Sequence, residues 1–140
     1  MIAKPCFVDT VCWVALLNQA DDLHQQATRV YRQQFSTGRL LVTTTAVLNE
    51  TANALSTPRF RSSVVTFYQR LKQSSQVQII QVDAALWDNG WTLFANRPDK
   101  EWSLTDCFSM VVSTSAGIAD VLTTDHHFAQ AGFHNLLTLR

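Results

Sequence analysis

The feature that most narrows what this chain can fold into is the shortness of its apolar runs and their alternation with helix-length segments. CFV, LLV, VQII, VL and NLL are each three or four residues long or shorter, and longer mixed stretches separate them. They are near-continuous rather than alternating, as strands covered on both faces read. We place strands at about 6–9, 40–43, 77–81, 120–123 and 135–138. Helices follow at about 11–18, 22–36, 45–57, 60–74, 83–96, 104–117 and 126–131. A helix between two strands makes a β-α-β unit, and right-handed crossovers then stack the strands in parallel. The expectation is a three-layer α/β/α domain around a parallel sheet of about five strands. With 140 residues and no linker, repeat or low-complexity stretch, the whole span 1–140 reads as a single domain.

Composition removes several function classes. No apolar run approaches the roughly 18 residues that cross a bilayer, so no membrane partner is expected. The opening MIAKPCFVDT has no extended apolar stretch of the kind a signal peptide needs, and a cytoplasmic protein is expected. Eleven basic residues balance eleven acidic ones, so net charge gives no support for broad electrostatic binding of nucleic acid. Local arginines and a metal remain a route to a few phosphates. Cys6, Cys12 and Cys107 each lie in an apolar run, which reads as reduced, packed thiols.

Open parallel sheets bind ligands beyond the carboxyl ends of their strands. Asp9 follows the strand CFV and Asp125 follows VLTT, so both belong at that edge. Asp120 precedes the same strand as Asp125, about 16 Å away at roughly 3.3 Å per residue, and belongs to the opposite edge. Glu50 flanks the apolar face of the helix after LLV. Asp106 opens a helix that is apolar nearly all round, through Cys107, Phe108, Met110, Val111 and Val112.

Each acid has an ordinary explanation. Asp9 suits a helix N-cap, Asp106 a capping box with Ser103, Asp125 the positive end of its helix, and Glu50 a solvated helix face. Together they read differently. Four of only eleven acidic residues converge on one edge from four segments, and no matching lysines or arginines stand in those segments. Like charges in a small space repel unless a cation bridges them. Hard carboxylate oxygens without cysteine or histidine suit Mg²⁺ or Mn²⁺ rather than zinc.

FVDT around Asp9, LNETANAL around Glu50, DKEWSLTDC from Asp99 to Cys107 and LTTDHHF around Asp125 resemble the motifs of PIN-domain ribonucleases, specifically the VapC-type toxins of bacterial toxin–antitoxin pairs. They occur in that family's order and spacing across nearly the whole chain, and DKEWSLTDC is the most specific of them. The resemblance implies a metal-dependent endoribonuclease with RNA as substrate, Mg²⁺ (or Mn²⁺) as cofactor and a small antitoxin as partner. By position, Asp9, Asp106 and Asp125 match the family's aspartates around the metal, and Glu50 its glutamate, acting directly or through a water. Thr10 matches the small hydroxyl residue after the first aspartate, Asp99 is an auxiliary acid, and Ser103 and Thr105 are expected to position Asp106. Products with a 5′-phosphate and a 3′-hydroxyl are implied.

Other residues weigh less. Arg59, Arg61, Arg97 and Lys100 are candidates for substrate phosphates, against the ordinary reading of a solvated face. Trp102 offers a ring for base stacking, though packing beneath the site is the stronger reading. His126 and His127 read as capping or solvating a helix start. Trp13, Leu16, Leu17, Phe60, Val64, Val65 and Phe67 offer apolar surface for a homodimer or an antitoxin segment, or simply for the core. A signalling receiver domain needs paired acids after the first strand and a lysine after the last, and neither is present. A D-x-D phosphatase fails because Asp9 is followed by Thr10-Val11. A stand-alone nuclease without an antitoxin, and a catalytically silent RNA- or protein-binding domain, complete the alternatives.

Overall fold

In the computed structural model, which describes residues 3–139, strands and helices alternate as the apolar pattern implies. In chain order they are β1 (Cys6–Val8), α1 (Thr10–Leu17), α2 (His24–Ser36), β2 (Leu41–Thr44), α3 (Thr45–Ala54), α4 (Pro58–Gln73), β3 (Val77–Ile80), α5 (Ala84–Asn96), α6 (Leu104–Ser115), β4 (Asp120–Leu122), α7 (His126–Gln130) and β5 (His134–Asn135). The five strands form one sheet, ordered β3-β2-β1-β4-β5, and every pairing is parallel. No described helix is long and apolar enough to cross a membrane.

The burial of each strand follows its place in this order. Every residue of β1 and β2 is buried, whereas β3 at the edge is half-covered and exposes Gln78. Thr43 and Thr44 tolerate burial because their hydroxyls are occupied. Thr43 donates to the Val8 carbonyl at 3.0 Å and accepts the Trp13 indole N–H at 3.2 Å, tying β2, β1 and α1 together. Thr44 caps α3 by accepting the Val47 N–H at 3.1 Å. Satisfied polar groups of this kind avoid the roughly 1–3 kcal/mol cost of an orphaned one. Trp13, 1% exposed, packs against the rings of Tyr31 and Phe67 at 5.5 and 5.1 Å. Cys6, Cys12 and Cys107 are free and buried.

The boundaries of α3, α4 and β5 depart from the sequence reading. Pro58 occupies the first turn of α4, where its missing N–H costs nothing, so that helix starts earlier than expected. The residue before it, Thr57, is held extended (φ −66°, ψ 152°), and α3 therefore ends at Ala54 rather than near 57. The last strand was expected at 135–138 but its ladder covers only His134 and Asn135, opposite Asp120 and Val121. The apolar signal there comes from Leu137, which is buried in the core rather than paired in the sheet. Beyond it, the Gln26 side chain takes the place of a strand: its Oε1 accepts the Thr138 N–H at 2.7 Å and its Nε2 donates to the Thr138 carbonyl at 2.9 Å.

Helix α5 packs directly on α6, with Gly90 against Phe108. A β-carbon there would overlap the Phe108 ring. Gly117, just past α6, has φ +67°, the left-handed conformation that ends a helix without strain only in glycine.

The chain runs from the central β1 outward through β2 and β3, then returns to lay β4 and β5 on the other side. Strand order thus reverses between β1 and β4. Crevices form at the carboxyl ends of strands at such a point. Asp9 immediately follows β1, and Asp125 lies three residues past the end of β4.

Candidate metal centre and active site

Asp9 occupies the N-cap position of α1 yet its carboxylate makes no capping hydrogen bond. It is 4% exposed and turns instead towards β4, where Oδ2 accepts the Thr123 hydroxyl at 2.8 Å. The ordinary role of a strand-end aspartate is therefore not the one it plays. Burial pushes its pKa up to about 7, the charges of Asp106 and Glu50 push the same way, and the hydrogen bonds from Thr123 and the Thr10 backbone oppose them. Among the described residues no lysine, arginine or histidine forms an ion pair with Asp9. A buried carboxylate left in that state is costly. Beside it the Thr10 hydroxyl is also buried without a partner.

Asp106 sits in the capping box that the S103-L-T-D106 spacing predicts. Ser103 Oγ accepts the Asp106 N–H at 3.0 Å, and Asp106 Oδ2 accepts the Ser103 N–H at 3.1 Å. The cap does not exhaust the carboxylate, because Oδ2 also faces His127 Nδ1 at 3.0 Å. Ser103 thus positions Asp106 as expected. Thr105 does not: among the described residues its hydroxyl makes no hydrogen bond to Asp106, and its carbonyl accepts from Ser109 instead at 3.1 Å.

Asp125 caps α7, with Oδ1 accepting the His127 N–H at 2.9 Å. Its own N–H donates to Thr123 Oγ1 at 3.0 Å, and its carbonyl accepts from Asn135 Nδ2 at 3.1 Å. Glu50 is exposed on α3, forms no ion pair among the described residues, and its charge is felt at Asp9. Asp9 and Asp125 are linked through Thr123, and Asp106 and Asp125 through His127. Asp120 stands apart at the start of β4, where Arg39 holds it at 3.0 Å and His134 at 3.1 Å.

Asp99 does not join this group. Arg97 grips it through two 3.0 Å hydrogen bonds and holds its carboxyl well down, to about 2. Arg97 also lies over the Trp102 ring at 5.0 Å, so its charge is already engaged. Trp102 is 5% exposed and donates its indole N–H to Gln130 at 3.1 Å, a packing role. Lys100 is half-buried beside them; Arg59, over the Phe60 ring, and Arg61 are exposed at the start of α4.

Sequence reasoning missed Thr123, and read His127 as capping or solvating a helix start without its contact to Asp106. The doublet Thr-Thr before a strand-end aspartate, and a histidine two residues after a cap, were the available signals. Among the described residues, the donor atoms of Asp125, His126 and His127 all lie within 4.8 Å of one another.

A PIN domain model matches residues 6–134. Over 128 residues the chain is 32% identical to the 23S rRNA-specific endonuclease VapC20 of Mycobacterium tuberculosis, covering 91% of this chain and 94% of that protein. The crystal structure of that VapC20, a sarcin-ricin loop cleaving toxin, superposes with a TM-score of 0.83 at 27% identity, covering 94% and 98% of the two chains. VapBC2 from Rickettsia felis, bound to a DNA fragment from their promoter, gives 0.65 at 14% identity, covering 96% and 97%. FitAcB from Neisseria gonorrhoeae gives 0.64 at 15%, covering 94% and 96%. These last two share the fold.

Proposed function

The chain belongs to the PIN-domain family, and from that premise we propose that it is a VapC-like endoribonuclease that needs Mg²⁺ (or Mn²⁺) and works from Asp9, Glu50, Asp106 and Asp125. The observation that carries this reading is the state of Asp9. A carboxylate 4% exposed, raised by burial and by two neighbouring acids, lacks any compensating cation among the described residues. A divalent ion supplies that compensation, and the partnerless Thr10 hydroxyl beside it fits the same demand.

In this reading Asp9, Asp106 and Asp125 hold the ion, and Thr123 and Ser103 hold the aspartates. When bound, the ion neutralises phosphate charge and lowers the pKa of an attacking water. Glu50, exposed and without an ion-pair partner among the described residues, would orient that water and take its proton. Displacement in line leaves a 5′-phosphate and a 3′-hydroxyl. RNA is the proposed substrate because the relative at 32% identity carries the name of an rRNA endonuclease. Of the four cations considered for phosphates, Arg59 and Arg61 are the better placed, since Arg97 is committed to Asp99 and Lys100 lies beside that pair.

A small antitoxin and a second copy of the chain are the proposed protein partners, in the cytoplasm. Trp13 itself is core, but Leu16, Leu17, Tyr31, Phe67 and Leu71 line an open groove of about 490 Å³ between α1, α2 and α4. A second apolar groove of about 530 Å³ runs past Leu48, Val64, Val65 and Tyr68. Surfaces of this kind are the ones partners cover.

The decisive experiment is cleavage of RNA by the purified protein. Mg²⁺ or Mn²⁺ should support it, and both EDTA and Asp9→Asn should abolish it. Cleavage that survives both changes would refute the carboxylate mechanism.

A further inference from the structure

Two imidazoles stand against the carboxylates at the end of β4. His127 Nδ1 lies 3.0 Å from Asp106 Oδ2 and 3.3 Å from Asp125 Oδ1, and His126 Nδ1 lies 3.7 Å from that same Asp125 oxygen. The two rings lie with centroids 4.5 Å apart, tilted 56° to each other. Around a divalent ion bound through nitrogen and oxygen at about 2.0–2.2 Å, neighbouring donor atoms sit roughly 3 Å apart. The spacings observed here approach those of a ligand shell. A hydrogen bond from His127 to Asp106 accounts for one of them. The Asp125 oxygen at 3.3 Å is also the one that caps α7 by accepting the His127 N–H at 2.9 Å, and from that position it faces both rings. His126, its side chain 73% exposed, meets this oxygen and the His127 ring.

We propose that Asp125, His126 and His127, with Asp106 at their margin, form a mixed nitrogen–oxygen site for a borderline divalent cation of the Zn²⁺ class. Mg²⁺ takes oxygen donors and binds imidazole poorly, whereas two histidines and one carboxylate suit zinc and leave positions open for water. The site rests on the proposed nuclease centre only in sharing Asp106 and Asp125 with it. That sharing has a consequence. One carboxylate cannot serve two ions at full strength, so Zn²⁺ here competes with Mg²⁺ at the acids around Asp9.

The test is calorimetric titration of the metal-free protein with Zn²⁺ alone. Wild type should bind one equivalent, and His126→Ala and His127→Gln should each weaken it at least about tenfold. His126 is exposed enough that its variant retains the fold, which circular dichroism verifies. His134→Ala, at an exposed histidine on the opposite edge, and Asp9→Asn should bind Zn²⁺ within about twofold of wild type. Unchanged affinity in both histidine variants, or loss confined to Asp9→Asn, overturns the site. RNA cleavage with Mg²⁺, assayed in parallel, separates the two readings: a protein that cuts no RNA refutes the nuclease and leaves the zinc titration standing.

Discussion

Thr123 donates its hydroxyl proton to Asp9 Oδ2 at 2.8 Å, and the same hydroxyl oxygen accepts the backbone N–H of Asp125 at 3.0 Å. One fully buried side chain thereby locks the end of β1 to the turn after β4. Thr123→Val keeps the shape and removes both bonds. We predict a loss of about 1–3 kcal/mol in urea denaturation, because two buried polar groups lose a partner. Mg²⁺ affinity should fall about 10–100-fold, the usual effect of removing a group that orients a ligand. Thr123→Ser should restore most of it. A valine variant that binds Mg²⁺ as wild type does would show the hydroxyl to be structural only.

Asp9 gives the metal-free protein a distinctive pH dependence. Its folded pKa, about 7, lies above the ordinary 3.8, so the fold favours the protonated form. The cost of the buried anion is absent below the unfolded pKa, grows as pH rises from about 4 to 7, and is complete above that. At its largest it is on the order of 4 kcal/mol. Asp9→Asn removes the charge, so the metal-free variant should melt above wild type at pH 8 and level with it near pH 4. Added Mg²⁺ should raise the melting temperature of wild type and leave the variant where it is. A metal-free variant less stable than wild type at pH 8 would refute this account of Asp9.

Asp99 and Asp106 belong to the same motif and should behave differently. Asp106→Asn should lower RNA cleavage by a factor of at least about 10² while leaving the capping box largely intact, since an amide oxygen still accepts the Ser103 N–H. Asp99→Asn breaks only an exposed pair with Arg97, with side chains 41% and 58% exposed. Such pairs contribute little, so both stability and rate should stay near wild type. Equal losses in the two variants would return Asp99 to the site.

Gly90→Ala tests the packing of α5 on α6. Alanine favours a helix over glycine by up to about 1 kcal/mol, but its methyl group meets the Phe108 ring. Overpacking costs typically about 1–3 kcal/mol, so the net change should be destabilising. Combining it with Phe108→Leu should recover part of the loss. A more stable single variant would mean that the two helices separate easily.

The sheet was legible in the sequence wherever burial on both faces demanded an unbroken apolar run, as in CFV. β5 was misplaced because Leu137 is apolar for the core and not for the ladder, a distinction that the run NLLTL cannot express. The places of Asp9 and Asp125 were legible because topology alone assigns strand ends to one edge, and Asp120 fell to the other. The contacts of Thr123 and His127 were not. Their hydrogen bonds to Asp9 and Asp106 span 114 and 21 residues, and no local pattern records a contact at such range. Asp99 misled through its place in a motif, although Arg97, the residue that claims it, stands only two positions away.

The position of β1 between β2 and β4 has a consequence in time. Its two neighbours come from opposite halves of the chain, and Phe7 pairs with Val42 on one side and Val121 on the other. A growing polypeptide that has made β1 to β3 therefore holds Asp9 and Glu50 with one flank of the central strand uncovered. Until residues 120–125 emerge and dock, those carboxylates have neither Thr123 nor Asp125 beside them. The centre is assembled only when a segment more than a hundred residues downstream of Asp9 closes that flank.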